Sequence, residues 1–90
     1  MTAFHTNAPR MPVHLLVVPN HHFDSVNQLE EADAALIGRL IVVAARLATE
    51  NGIAQSGYRL VVNTGPDAGQ SVSHLHLHLI GGGRMPVFFS

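Results

Sequence analysis

Apolar and polar positions alternate strictly through Ser73-His74-Leu75-His76-Leu77-His78-Leu79-Ile80. A period of two is that of a β-strand, whose successive side chains point to opposite faces. Leu75, Leu77 and Leu79 then share one face and His74, His76 and His78 the other, each histidine about 6.5–7 Å from the next. The pattern predicts a strand over residues 72–80, anchored by leucine and presenting imidazole, with Gly81-Gly82-Gly83 ending it. Val13-His14-Leu15-Leu16-Val17-Val18 is a short, β-branched apolar run closed by Pro19-Asn20, which reads as a buried strand interrupted by His14. Residues 58–62 read as a third strand. It joins the histidine strand through the turn-rich loop of residues 63–70, so the two are natural antiparallel neighbours. Residues 1–11 read as loop, because Pro9 and Pro12 forbid a regular helix. His21-His22-Phe23-Asp24-Ser25 reads as a polar connector and residues 84–90 as an irregular tail.

Over residues 30–51 the period changes to that of a helix. Glu30, Glu31 and Asp33 lie at its front, where the helix dipole favours negative charge, and Asn51-Gly52 supplies a stop. Leu36, Ile37, Leu40, Ile41, Val43, Ala44, Leu47 and Ala48 cover more than one stripe, leaving Arg39 and Arg46 to mark a narrow wet edge. A helix apolar over most of its circumference needs cover on two sides. In a chain of 90 residues, 47% apolar and only 12% charged, the second cover points to another subunit and hence a homodimer. The expectation is one α+β domain over residues 1–90, an antiparallel sheet with one long helix across it.

Charge and cysteine content narrow the classes of function. Net charge is −1 and the five basic residues form no cluster, which argues against a nucleic-acid footprint. Cysteine is absent, excluding disulfides and thiolate metal sites. The longest apolar run, residues 40–45, is too short to span a bilayer, so the default is a soluble cytoplasmic protein.

The candidate chemistry lies where loop and histidine strand meet. Asn63 ends one strand, and Gly69, Gln70 and Ser71 precede the next. Glycine-turn N–H groups, an amide and a hydroxyl form a natural cradle for phosphate oxygens. The imidazoles begin three residues later, which points to chemistry at phosphorus. Other readings stand beside this one. The histidines could decorate a surface strand, or His14 could join two of them around zinc. Asn63 could cap a turn, and Gly69 could serve only its backbone. His5, His21 and His22 read as loop or surface residues.

The stretch Val61-Val62-Asn63-Thr64-Gly65-Pro66-Asp67-Ala68-Gly69-Gln70-Ser71-Val72, then His74-Leu75-His76-Leu77-His78-Leu79-Ile80-Gly81-Gly82, resembles the signature of the histidine-triad (HIT) superfamily. Ala3-Phe4-His5 and Pro12-Val13-His14-Leu15-Leu16-Val17-Val18-Pro19 resemble its upstream block, and the branch most similar is that of the purine nucleoside phosphoramidases. The resemblance covers residues 3–85. It implies His76 as nucleophile at the α-phosphorus of a purine nucleoside phosphoramidate or related nucleotide, with a nucleotidyl-histidine intermediate and release of a nucleoside monophosphate. His74 would supply the carbonyl that orients His76. His78 and His14 would hold phosphate oxygens, Asn63, Gly69, Gln70 and Ser71 would complete the cradle, and Ser71 would pass a proton to the leaving group. No cofactor or metal is implied. Thr6 stands where the family usually places an acidic ribose ligand, and Asn7 where an apolar residue often meets the base. Measured against the family, the chain lacks an N-terminal helix and hairpin and a tryptophan-proline ending. A nucleotide-binding module of the same fold without turnover is the alternative.

Overall fold

The structure, a computed structural model, describes residues 1–6 and 11–86. Asn7, Pro9 and residues 87–90 of the expected tail lie outside the described residues. Strands β1 (Thr2–His5), β2 (Val13–Val18), β3 (Tyr58–Val61) and β4 (Leu77–Gly81) form one antiparallel sheet in the order β1-β2-β4-β3, and helix α1 (Ala34–Glu50) packs on one face. This is the α+β arrangement expected from the alternation of periods.

The two central strands set the core. Leu15 lies opposite Leu79 and Val17 opposite Leu77, and none of the four is more than 5% exposed. Onto them α1 lowers Leu40, Ala44 and Ala48, two of which are small enough to let the helix axis come close to the sheet. The helix ends are built locally. Asp33 accepts a hydrogen bond from the Glu30 N–H at 2.9 Å, closing the short 3-10 turn Glu31–Asp33 that leads into α1. At the other end Gly52, with φ 72°, adopts the left-handed conformation. Its N–H reaches the Thr49 carbonyl and the Ile53 N–H reaches the Ala48 carbonyl, which satisfies orphan carbonyls and folds Ile53 into the core.

Three expectations change. Residues 1–11 are not all loop, because β1 pairs with the free edge of β2, from Thr2 opposite Val18 to His5 opposite Leu15. Its side chains are exposed, so no hydrophobic pattern announced it. The paired part of the histidine strand begins at Leu77 rather than residue 72. Its partner β2 ends at Val18, and Pro19 has no N–H to continue the ladder. The α-helix begins at Ala34 rather than residue 30, because Glu31–Asp33 close as a 3-10 turn ahead of it, and within this one chain the helix is covered on one stripe. Ile41 and Val42 remain 43% and 51% exposed on the side away from the sheet.

Leu79→Ala should destabilise the protein by about 2–5 kcal/mol, since Leu79 is fully buried between sheet and helix. Val72→Ala, at an exposed position, should cost less than about 0.5 kcal/mol. Urea unfolding monitored by circular dichroism measures both.

Candidate active site

The face of the sheet turned away from α1 carries the imidazoles. Because Leu16 pairs with His78, the neighbouring inward position on β2, His14, lies diagonal to it on the same face. Their rings meet nitrogen to nitrogen, His14 Nε2 to His78 Nδ1 at 2.9 Å, and one of the two must carry the hydrogen. His76 follows on the same face, its ring edge-on to His78 with centroids 5.0 Å apart. Its Nδ1–H donates to the His74 carbonyl at 2.7 Å. A carbonyl only accepts, so neutral His76 has its hydrogen on Nδ1 and a lone pair on Nε2.

His74 takes a different course from its two companions. Lying ahead of the paired strand, its ring packs against His22 with Nδ1 nitrogens 2.9 Å apart. His22 in turn donates through Nε2 to Asp24 at 2.8 Å. Both His22 and Asp24 were expected to be connector residues only. The contact joins positions 52 residues apart in a stretch with no periodic signal, so sequence reading had nothing to find it by.

Burial decides the charge state of His78. His14 is 5% exposed. Desolvation, followed by the charges that His76 and His14 would carry, holds the His78 pKa below its ordinary 6.5. Near neutral pH His78 is therefore an uncharged hydrogen-bonding group. Its Nε2 is shielded from solvent and has no hydrogen-bond partner among the described residues, as is also true of His74 Nε2. His74 and His76 line an open cleft of about 440 Å³ with Phe4, Leu16, Val18 and Val72. Its wall is thus apolar on one side and imidazole on the other.

The loop of residues 63–70 ends beside this cleft, but its amides are largely spent on itself. The Gly69 N–H donates to the Pro66 carbonyl at 3.0 Å and the Gln70 N–H to the Gly65 carbonyl at 3.1 Å. Gln70 Oε1 accepts from the Gly65 N–H, while its Nε2 donates to the carbonyls of Asp24 and Val72. Gly69 and Gln70, expected as phosphate donors, shape the loop here. Gly69 does so at φ 82°, a left-handed position that favours glycine. Asn63 is half-buried and Ser71 exposed at the two ends of the loop. Thr6 follows β1 and gives its N–H to the His14 carbonyl at 3.3 Å, which places it beside the His14 backbone. Among the described residues no group of three or more His, Cys, Asp or Glu is arranged to hold a metal ion.

Comparison with known proteins matches this fold. The HIT domain family model matches residues 1–85. The purine nucleoside phosphoramidase of Escherichia coli K12 is 44% identical over 82 residues, covering 91% of this chain and 69% of that protein. A HIT family hydrolase from Legionella pneumophila superposes with a TM-score of 0.92 at 39% identity, over 93% of this chain and 75% of the other. A histidine triad protein from Clostridium difficile superposes with a TM-score of 0.92 at 37% identity, over 96% and 75%. Extent of match, shared topology and the imidazole-lined cleft agree: the chain belongs to the HIT family.

Proposed function

We propose that the protein hydrolyses purine nucleoside phosphoramidates, or related nucleotides, at the α-phosphorus through a covalent nucleotidyl-His76. The observation that carries this reading is the 2.7 Å bond from His76 Nδ1–H to the His74 carbonyl, which leaves Nε2 as a nucleophilic lone pair. In the first step Nε2 attacks phosphorus. A nitrogen–phosphorus bond forms, the bond to the leaving amine breaks, and the amine takes a proton from solvent relayed through Ser71. Water then attacks phosphorus and gives up a proton to solvent, the bond to His76 breaks, a nucleoside monophosphate is released and the imidazole returns to its neutral form. While the adduct exists, His76 carries positive charge, and its Nδ1–H bond to the carbonyl offsets part of it. With the shared hydrogen of this pair on His14 Nε2, His78 would keep its own on Nε2, the tautomer that can donate to a phosphate oxygen. Asn63 and Ser71 complete the cradle, and Gly69 and Gln70 hold its loop in shape. The apolar wall of Phe4, Leu16, Val18 and Val72 suits a planar base, with Thr6 toward the sugar.

His76→Ala should abolish turnover of adenosine 5′-phosphoramidate while AMP binding by calorimetry stays measurable. Mass spectrometry of wild-type protein quenched during turnover should find AMP on His76. Near-wild-type turnover by the variant would exclude His76 as nucleophile. Wild-type protein that binds AMP but never turns over would instead be a binding module.

The lowered His78 pKa also makes stability depend on pH. The unfolded chain binds the proton at higher pH than the folded one, so stability is complete above about 6.5 and declines as pH falls below it. Melting temperatures between pH 8 and 5 should drop more for wild type than for His78→Gln; parallel curves would contradict the assignment.

A homodimer through α1 is part of the proposal. Ala34, Ala35, Gly38, Ile41, Val42 and Arg46 face away from the sheet, and exposing a Val or Ile forgoes about 1.5–3 kcal/mol of burial. Light scattering at micromolar concentration should give a dimer, and Val42→Asp should give monomer. A monodisperse wild-type monomer would rule the dimer out.

A further inference from the structure

The connector after β2 carries a chain of side chains that the proposed chemistry does not use. The Asp24 carboxylate can only accept, so His22 Nε2, 2.8 Å away, carries a hydrogen. A neutral His22 then has a lone pair on Nδ1. This faces His74 Nδ1 at 2.9 Å, and two lone pairs cannot share that distance. His74 is thereby assigned the Nδ1–H tautomer, with the lone pair on its shielded Nε2.

The same connector holds the neighbouring backbone. The Leu75 N–H donates to the Phe23 carbonyl at 2.7 Å. That N–H and the His74 carbonyl are opposite ends of one planar peptide unit. Its carbonyl end receives the His76 Nδ1–H. His22 and Phe23 therefore grip His74-Leu75 at the ring and at the backbone, on the unit that sets the tautomer of His76. The grip is itself held. The Asp24 N–H donates to Gln28 Oε1 at 2.5 Å, Gln28 Nε2 donates to Asp24 Oδ2 at 3.1 Å, and Gln70 Nε2 donates to the Asp24 carbonyl at 2.6 Å. His22 and Asp24 are 58% and 59% exposed at the side chain, so their ionic attraction is weakened by water. What they contribute is direction.

We propose that His22 and Asp24 are positioning residues. They fix the Nδ1–H tautomer of His74 and, with the Phe23 carbonyl, orient the peptide that aims His76. The kinetic part of this inference rests on the reading of His76 as nucleophile; the tautomer part does not. Long-range ¹H–¹⁵N spectra of the imidazoles read the tautomers directly. Wild type should show both His74 and His76 as Nδ1–H. His22→Ala should mix the His74 tautomers, and Asp24→Ala should do so to a smaller degree. His22→Asn, whose amide oxygen can stand near the former Nδ1, should restore the wild-type signal. With adenosine 5′-phosphoramidate, His22→Ala should lower kcat about ten-fold with KM within about two-fold, and His22→Asn should recover much of the loss. His74 found as Nε2–H in wild type, or unchanged in His22→Ala, would overturn the inference. A tautomer shift with unaltered kcat would overturn the link to His76. Wild-type protein without turnover but with the expected tautomers would sink the hydrolase reading and leave the tautomer assignment standing.

Discussion

The site depends on the register of β2 against β4. Setting Leu15 against Leu79 and Val17 against Leu77 buries four apolar side chains under α1, and the same pairing brings Leu16 to His78 with His14 diagonal to it. A slip of one residue would turn the leucines to the cleft and the imidazoles to the core. Magnitudes show which contact governs. Each buried leucine or valine contributes about 1.5–3 kcal/mol, whereas a hydrogen bond between neutral groups contributes about 0.5–1.5 kcal/mol net. The bond between His14 and His78 therefore does not select the register. It is placed by hydrophobic burial on the opposite face, and the imidazoles are brought together by side chains they never touch.

That arrangement fixes the electrostatics as well. Two imidazoles near His78, in a partly desolvated setting, oppose a charge on its ring. His78 held neutral can take part in a ring-to-ring hydrogen bond without retaining a counter-ion. On the proposed mechanism the charge that develops on His76 arises beside an uncharged His78 and is met by a carbonyl and a phosphate rather than by a second cation.

What was legible in the sequence was local. The alternation of His76, Leu77, His78 and Leu79, the acidic turn ahead of α1, the Asn51-Gly52 stop and the end of β2 before Pro19 follow from neighbours within a few residues. The resemblance to the family rested on the same short runs, and the matched family model bears it out. The rest required contacts that no local pattern encodes. β1 is a strand only because β2 offers it an edge, and its exposed side chains give no periodic signal. Loop composition suggested free amide donors at Gly69 and Gln70, but a tight turn uses its own N–H groups to close on itself. His22 reads as one more histidine in a polar connector until the fold sets it against His74, 52 residues away.

The early end of β2 has a consequence for chemistry. Had the histidine strand been paired from residue 72, as its alternation suggests, the peptide between His74 and Leu75 would have entered the sheet's hydrogen-bond ladder or faced its open side. Because β2 stops at Pro19, that peptide has no strand partner there. A buried peptide must still satisfy its polar ends. Its N–H turns to the Phe23 carbonyl and its carbonyl turns to His76. A proline that terminates one strand thus frees the backbone group that orients a ring on another. The short run of irregular chain ahead of β4 is where the sheet's geometry becomes the geometry of a nucleophile.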